Sequence, residues 1–171
     1  SGLTTTGATV LSGLDDMPPG ILLWRGIMQW LGGLGIIVMA VSVLPMLQIG
    51  GMQLFKAEAF DTPEKILPRA TQISGSLTLI FVLVTVACMF SYLLAGMSPL
   101  DAVAHAMTTV ATGGHSTHDA SFAYFDSPEI ETIAIIFMIL GSVPFLLYVQ
   151  LFQGDASGIL KDSQVRVFVL M

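Results

Sequence analysis

Charged side chains are scarce in this chain. They make up 11% of its 171 residues, with six Lys and Arg against twelve Asp and Glu, where an ordinary soluble domain carries about 25%. The net charge of −6 argues against a nucleic-acid partner, which selects basic surface. Cysteine is nearly absent as well. Cys88 is the single thiol and lies in an apolar run, so no internal disulfide can form. It reads as a small packing or lipid-facing residue rather than a redox centre. The sequence has no initiator Met and no secretory signal pattern, and both ends are expected to be cuts in a longer protein.

What is present is apolar. Hydrophobic residues make up 54% and the mean hydropathy is +0.82, which places the chain in the membrane class. Three stretches, 26–55, 70–100 and 132–154, contain no Asp, Glu, Lys or Arg. About 20 apolar residues suffice to span a bilayer, so spanning helices are expected at about 21–47, 70–95 and 129–152. Gly26, Gly32, Gly33 and Gly35 gather on the first, and Ser74, Gly75 and Ser76 on the second. Small residues of this kind let helices approach closely in lipid. Pro45, and Gly141 with Pro144, predict loosened or bent backbone. Connections at 48–69 and from 153 onward are aqueous, with 153–171 leading into a further segment.

Lys56, Lys65 and Arg69 lie in the first connection, Lys161 and Arg166 in the last, and none in 97–131. The positive-inside bias then puts 48–69 and 153–164 in the cytoplasm and 97–131 outside. Arg25, at the outer end of its helix, reads either as a snorkelling anchor or as a contact to an outer pore mouth.

The most informative stretch is 98–117, SPLDAVAHAMTTVATGGHST. Ser98 is a good N-cap, Pro99 suits the first helical position, and Asp101 completes an S-x-x-D start signal. A helix over 99–110 is roughly 18 Å long, too short for a hydrocarbon core of about 30 Å. Small, polar, glycine-rich residues follow at 111–117. Irregular backbone at membrane depth is tolerated where it is buried in protein or lines a water-filled cavity. A half-helix running into such a loop can present carbonyl oxygens to a cation, with the negative end of the helix dipole behind them. The signal recurs at 1–9, SGLTTTGAT, where Thr6-Gly7 aligns with Thr112-Gly113. This is an internal repeat. Thr5, Thr6, Ala111 and Thr112 would supply carbonyls ahead of glycine hinges at Gly7 and Gly113. Neither loop holds a carboxylate, which fits a monovalent, partly dehydrated ion better than calcium.

The blocks SGLTTTGAT at 1–9, QWLGGLGI at 29–36, GGMQLFKAEA at 50–59, GMSPLDAVAHA at 96–106 and TTVATGGHSTHDAS at 108–121 resemble, in this order, the TrkH/TrkG/KtrB family of bacterial potassium-uptake proteins. The resemblance covers most of the chain. It implies an all-α polytopic membrane protein of helix–pore loop–helix repeats, like those of potassium channels, with re-entrant half-helices and selectivity-filter loops. Four such repeats would surround one path. Residues 1–47 would end one repeat, with its filter loop at 1–9. Residues 70–152 would form a complete one, with pore helix 99–110 and filter loop 111–117. Gly7 and Gly113 match the family's filter glycines, preceded by Thr5, Thr6, Ala111 and Thr112. All six would hold K+ by backbone carbonyls. His115 departs from the family, which usually has Phe after the glycine pair. The implied function is potassium uptake across the bacterial inner membrane by a multi-pass, non-enzymatic subunit. K+ is the transported ion, with no covalently bound cofactor. The implied partners are the lipid bilayer, a second copy in a homodimer, and a cytoplasmic nucleotide-binding regulatory subunit of the TrkA/KtrA kind.

Two other classes compete. A membrane-embedded metalloenzyme could draw on His105, His115 and His118, since zinc sites use paired His. However, His115 and His118 lie on a loop with no glutamate base beside them. A non-conducting membrane anchor would leave the two Thr-Gly loops without a reason.

Overall fold

The computed structural model describes residues 1–42, 63–152 and 165. The described residues form helices and turns, with no strand among them. Helix α1 is Pro19–Ser42. Pro45 and the expected continuation of this helix to about 47 lie outside the described residues, as does most of the 48–69 connection and the connection from 153 onward. Helix α2 is Pro63–Leu94, with 32 residues. It starts well before the expected position near 70. Proline at the first helical position gives up an N–H that has no partner there in any case. At about 48 Å, α2 outruns the hydrocarbon core, so the charged positions 64, 65 and 69 can belong to the same helix without lying at membrane depth. Within it, Ser74–Leu94 is long and apolar enough to cross a membrane, with mean hydropathy 2.5.

The short helix α3 is Pro99–Val110, 12 residues. Its start follows the cap chemistry of the sequence. The Asp101 N–H donates to Ser98 Oγ at 3.2 Å, and Ser98 Oγ–H donates to Asp101 Oδ2 at 2.7 Å. The stretch expected as one helix near 129–152 is two, α4 at Pro128–Ser142 and α5 at Phe145–Phe152. Val143 between them is extended (φ −70, ψ 135), because a residue preceding proline is pushed out of the helical region and Pro144 can donate no bond.

The chain divides into two compact units, Ser1–Leu34 with Phe81–Pro144, and Gly35–Ile80 with Phe145–Met171. In the second, Thr78 Oγ1–H donates to Ser74 O, and the rings of Phe145 and Tyr148 lie 5.6 Å apart. The first unit carries both glycine loops. On α2, Phe81, Thr85, Cys88 and Tyr92 recur at helical spacing and are buried, while Leu83, Val86, Phe90 and Leu94 stay exposed. The buried stripe ties α2 to its neighbours. Trp30 Nε1–H of α1 donates to Thr85 Oγ1 at 3.0 Å, and Tyr92 Oη lies 2.9 Å from Thr109 Oγ1 of α3. The shortest of the unit's full helices is its centre: Ala102, Ala104, His105, Ala106, Thr108, Thr109 and Val110 are all buried. Alanine on α3 and glycine at Gly26 of α1 let the two backbones approach, since a Cβ at Gly26 would already touch Ala104. At the other end a Cβ at Gly141 of α4 would strike the Val110 carbonyl.

Candidate functional site

Helix α3 ends in a left-handed turn. Thr112 has φ +50, its N–H donates to Thr109 O, and the next N–H, of Gly113, reaches back to Thr108 O at 2.8 Å. This is the paired closure that satisfies the last carbonyls of a helix. The first loop repeats it. Thr5 has φ +53, its N–H donates to Gly2 O, and the Thr6 N–H reaches back to Ser1 O at 3.1 Å. Two residues after each threonine comes a left-handed glycine, Gly7 (φ +75) in one and Gly114 (φ +81) in the other. The backbones therefore match with Thr5 on Thr112, Thr6 on Gly113 and Gly7 on Gly114. This differs by one residue from the sequence alignment of Gly7 with Gly113. Gly113, expected to be the hinge, is not left-handed; the residues on either side of it are. Left-handed backbone is unusual for a β-branched residue and costs roughly 1–2 kcal/mol. Both loops carry that strain at the same place, and strain of this kind concentrates at functional positions.

The two loops touch. A Cβ built on Gly7 would collide with the Gly113 carbonyl oxygen. Of the six expected cation-binding residues, Thr5, Thr6, Ala111 and Thr112 have carbonyls that accept no hydrogen bond among the described residues. The N–H groups of Thr112 and Gly113 point back into α3, so the carbonyls of Ala111 and Thr112 on the same peptide planes point away from it. The other two are engaged. Gly7 O accepts from Thr9 Oγ1 at 3.4 Å, and Gly113 O accepts from Gln29 Nε2 at 2.9 Å.

Helix α1 holds the second loop from the side. The Gln29 carboxamide, fully buried, donates to Gly113 O and accepts from His115 N–H at 3.0 Å. One turn earlier, Arg25 donates from Nη1 to Ser116 O at 3.2 Å and from Nη2 to Thr9 Oγ1 at 2.9 Å. Arg25 thus reaches from α1 to a residue of each loop. Glycines on the same helix make room: a Cβ at Gly32 would overlap the Leu3 carbonyl, and one at Gly33 would press on Ala111.

The end of the second loop enters a polar network. His105 Nδ1 is 2.9 Å from Asp101 O and its Nε2 is 2.9 Å from Ser116 Oγ. A carbonyl only accepts, so Nδ1 carries the proton, and in a neutral ring Nε2 accepts from Ser116. Ser116 Oγ in turn accepts the His118 N–H at 3.1 Å. Thr117 Oγ1–H donates to Asp101 Oδ1 at 2.6 Å. The His118 ring stacks on Tyr124, and its Nδ1 is 2.5 Å from Asp15 Oδ1. Its Nε2 lies 3.3 Å from Asp101 Oδ1, out of hydrogen-bond alignment. The hydrogen bond from His118, then that from the Asp119 N–H, holds the Asp15 carboxyl below its ordinary range. Burial pushes Asp101 up, but hydrogen bonds from Thr117 and Ser98 and the nearness of His118 outweigh it, so this carboxyl too lies low. Asp119 accepts from the N–H groups of Gly13 and Leu14 at 2.9 and 3.2 Å.

The three histidines do not converge. His105 and His118 serve this network, and His115 Nε2 lies 3.3 Å from Ser1 Oγ. Among the described residues no group of three or more His, Cys, Asp or Glu could hold a metal ion. Sequence reasoning passed over Gln29, Asp15 and Asp119. The first left a signal, a lone amide among the apolar and glycine residues of 26–41, which has to find a partner if buried. The two acids read as ordinary loop residues.

A family model described as TrkH, cation transport protein, matches residues 1–171. The Trk system potassium uptake protein TrkI of Halomonas elongata is 46% identical over 172 residues, which cover 100% of this chain and 35% of that protein. The Trk system potassium uptake protein TrkH of Escherichia coli is 47% identical over 172 residues, covering 99% and 36%. The crystal structure of the potassium transporter TrkH from Vibrio parahaemolyticus matches with a TM-score of 0.83 at 41% identity, covering 99% of this chain and 34% of that one. The chain spans about a third of the length of these relatives.

Proposed function

The chain belongs to the TrkH cation-transport family, and on that premise we propose that it forms part of the potassium path of an uptake system in the bacterial inner membrane. The ion is held by backbone carbonyls of the two glycine loops, with Thr5, Thr6, Gly7, Ala111, Thr112 and Gly113 as the contributing residues. A carbonyl ring replaces hydration without gathering repelling carboxylates, and selective passage of an ion needs no chemical step. The observation that carries this reading is the recurrence of one strained backbone pattern, left-handed Thr then left-handed Gly, in two loops that meet at Gly7 and Gly113.

In the whole protein the path is completed by further repeats, so this stretch alone does not conduct. Both loops enter from outside, 48–69 and 153–164 face the cytoplasm, and the exposed stripe Leu83, Val86, Phe90 and Leu94 lies against lipid or the other repeats. A homodimer and a cytoplasmic nucleotide-binding regulatory subunit are the partners this reading expects.

Gly7→Ala in the full-length transporter tests it. The added methyl is strained at φ +75 and collides with the Gly113 carbonyl. Gly96 is the control, being left-handed (φ +95) with nothing within 4 Å of an added Cβ. In cells lacking other potassium uptake, Gly7→Ala is expected to cut the preference for potassium over sodium by at least about tenfold, equivalent to ~1.4 kcal/mol. Gly96→Ala leaves that preference intact at equal surface expression. Equal preference in the two variants would falsify the filter reading.

A further inference from the structure

We infer that Gln29 is a positioning residue for ion selectivity, a side-chain clamp that fixes the peptide planes of the second loop from α1. The inference rests on the filter reading above.

Gln29 is fully buried, and every other residue from 26 to 41 on its helix is apolar or glycine. A buried carboxamide is costly unless both of its ends are paired. Here both are paired, and both to one short piece of backbone: Nε2 to Gly113 O at 2.9 Å and Oε1 to His115 N–H at 3.0 Å. The amide is planar and rigid, so the two bonds set the separation and orientation of two successive peptide groups around Gly114. Gly114 is left-handed and meets nothing with an added Cβ, so its own surroundings do not hold it. On the other side of Gly113 the helix end fixes the Thr112–Gly113 peptide through the bond to Thr108 O. The Thr112 carbonyl is therefore set by α3, and the turn that follows it by Gln29. Lateral room for the clamp comes from Gly113 itself, where any Cβ would lie within the Gln29 carboxamide. Among the described residues, the matching carbonyl of the first loop, Thr6 O, has no such partner.

The test uses the full-length transporter in cells lacking other potassium uptake, reading KM and maximal rate for potassium and the potassium-over-sodium preference, normalised to surface protein. Gln29→Met keeps length and burial and loses both bonds. It is expected to raise the potassium KM and reduce the preference by about tenfold or more, while the maximal rate at saturating potassium changes by less than about threefold. Gln29→Glu keeps the acceptor for His115 N–H and, when ionised, loses the donor to Gly113 O. Its defect is expected to shrink on acidification relative to the parent protein, because a protonated carboxyl can donate to Gly113 O again; a residue that only fills space shows no such recovery. Wild-type KM and preference in Gln29→Met overturn the inference. If Gln29→Met does not reach the membrane, wild-type preference in Gln29→Glu at every pH from acid to alkaline, where the carboxyl must ionise, overturns it. Gly7→Ala in the same assay separates the two readings. A changed preference in Gly7→Ala with none in the Gln29 variants removes the clamp and leaves the filter. No change in any of them removes both.

Discussion

The two glycine loops share a backbone and differ in what holds it. Among the described residues, the first, at 1–9, makes most of its hydrogen bonds within itself. Thr4 and Thr6 hydroxyls lie 2.8 Å apart, Thr9 donates to Gly7 O, and Ser1 Oγ donates to Ala8 O. The second, at 111–117, is tied by residues of two helices: Gln29 and Arg25 from α1, and Asp101 and His105 from α3. The left-handed Thr followed by the left-handed Gly needs only the closing turn of a helix, since it forms in both settings. Among the described residues, buried, reciprocal bonds from neighbouring helices are found at the second loop.

The comparison breaks if removing a tie from a helix costs the second loop no more than removing a local tie costs the first. The largest effect is expected from Asp101→Ala. Its carboxylate accepts from Thr117, which is 2% exposed, and from the cap Ser98. Hydrogen bonds to a charged group contribute about 1.5–3 kcal/mol each, and the Thr117 hydroxyl would be left buried without a partner. A loss of about 3 kcal/mol in stability follows. Thr4→Val in the first loop removes a hydroxyl contact, to Thr6, and is expected to cost less than Asp101→Ala. Thermal unfolding of the full-length protein in detergent compares them, and equal shifts would sink the distinction.

A smaller effect sharpens the comparison by testing the link between the loops. Arg25 places one guanidinium nitrogen on each, Nη1 on Ser116 O and Nη2 on Thr9 Oγ1. Lysine has the charge but a single nitrogen and cannot fork. Arg25→Lys is therefore expected to weaken potassium affinity several-fold, and Thr9→Val to add little on top of it. A double-mutant cycle should give a coupling of about 0.5–2 kcal/mol, the range for residues in contact. Strict additivity would mean that the two loops are not joined through Arg25.

Part of this was legible in the sequence. The start of α3 was, because Ser98, Pro99 and Asp101 each have a local reason to stand at a helix start. Its shortness was too, because Thr112-Gly113-Gly114 cannot continue an apolar helix cheaply. The register between the loops was not. Glycine is the natural host for left-handed backbone, so aligning glycine on glycine was the reasonable choice, yet it is the helix end that puts threonine there. The break of the last span into α4 and α5 was visible only as a bend at Gly141 and Pro144. The Gln29 clamp was out of reach for another reason: its partners lie more than 80 residues away in sequence, and no periodic pattern records such a pairing.

The smallest effect is expected where the loops differ most in side chain. By backbone match, Ala8 of the first loop corresponds to His115 of the second. His115 is 7% exposed. Its backbone N–H is what Gln29 binds, and its ring Nε2 lies 3.3 Å from Ser1 Oγ, with the Ala8 and Arg25 carbonyls nearby. Ring Nδ1 is buried and makes no well-aligned hydrogen bond. His115→Phe removes that nitrogen, keeps the backbone bond and gives up one long contact, so at pH 7 stability and uptake should stay close to those of the parent. The pH dependence separates the two. Burial, then the neighbouring Arg25 charge, lowers the His115 pKa below its ordinary 6.5, although the Ala8 and Arg25 carbonyls work the other way. Above that ordinary value neither folded nor unfolded chain protonates the ring. As pH falls through it, the unfolded chain takes up a proton that the folded chain refuses, so stability drops with acidity. Phenylalanine takes up no proton. The melting temperatures of His115→Phe and the parent should therefore nearly coincide at neutral pH and diverge, in favour of the variant, toward about pH 5.5. Parallel curves over that range would mean that the ring titrates alike in the folded and unfolded chains, as a freely solvated ring does. The second loop would then be as open at its outer end as the first.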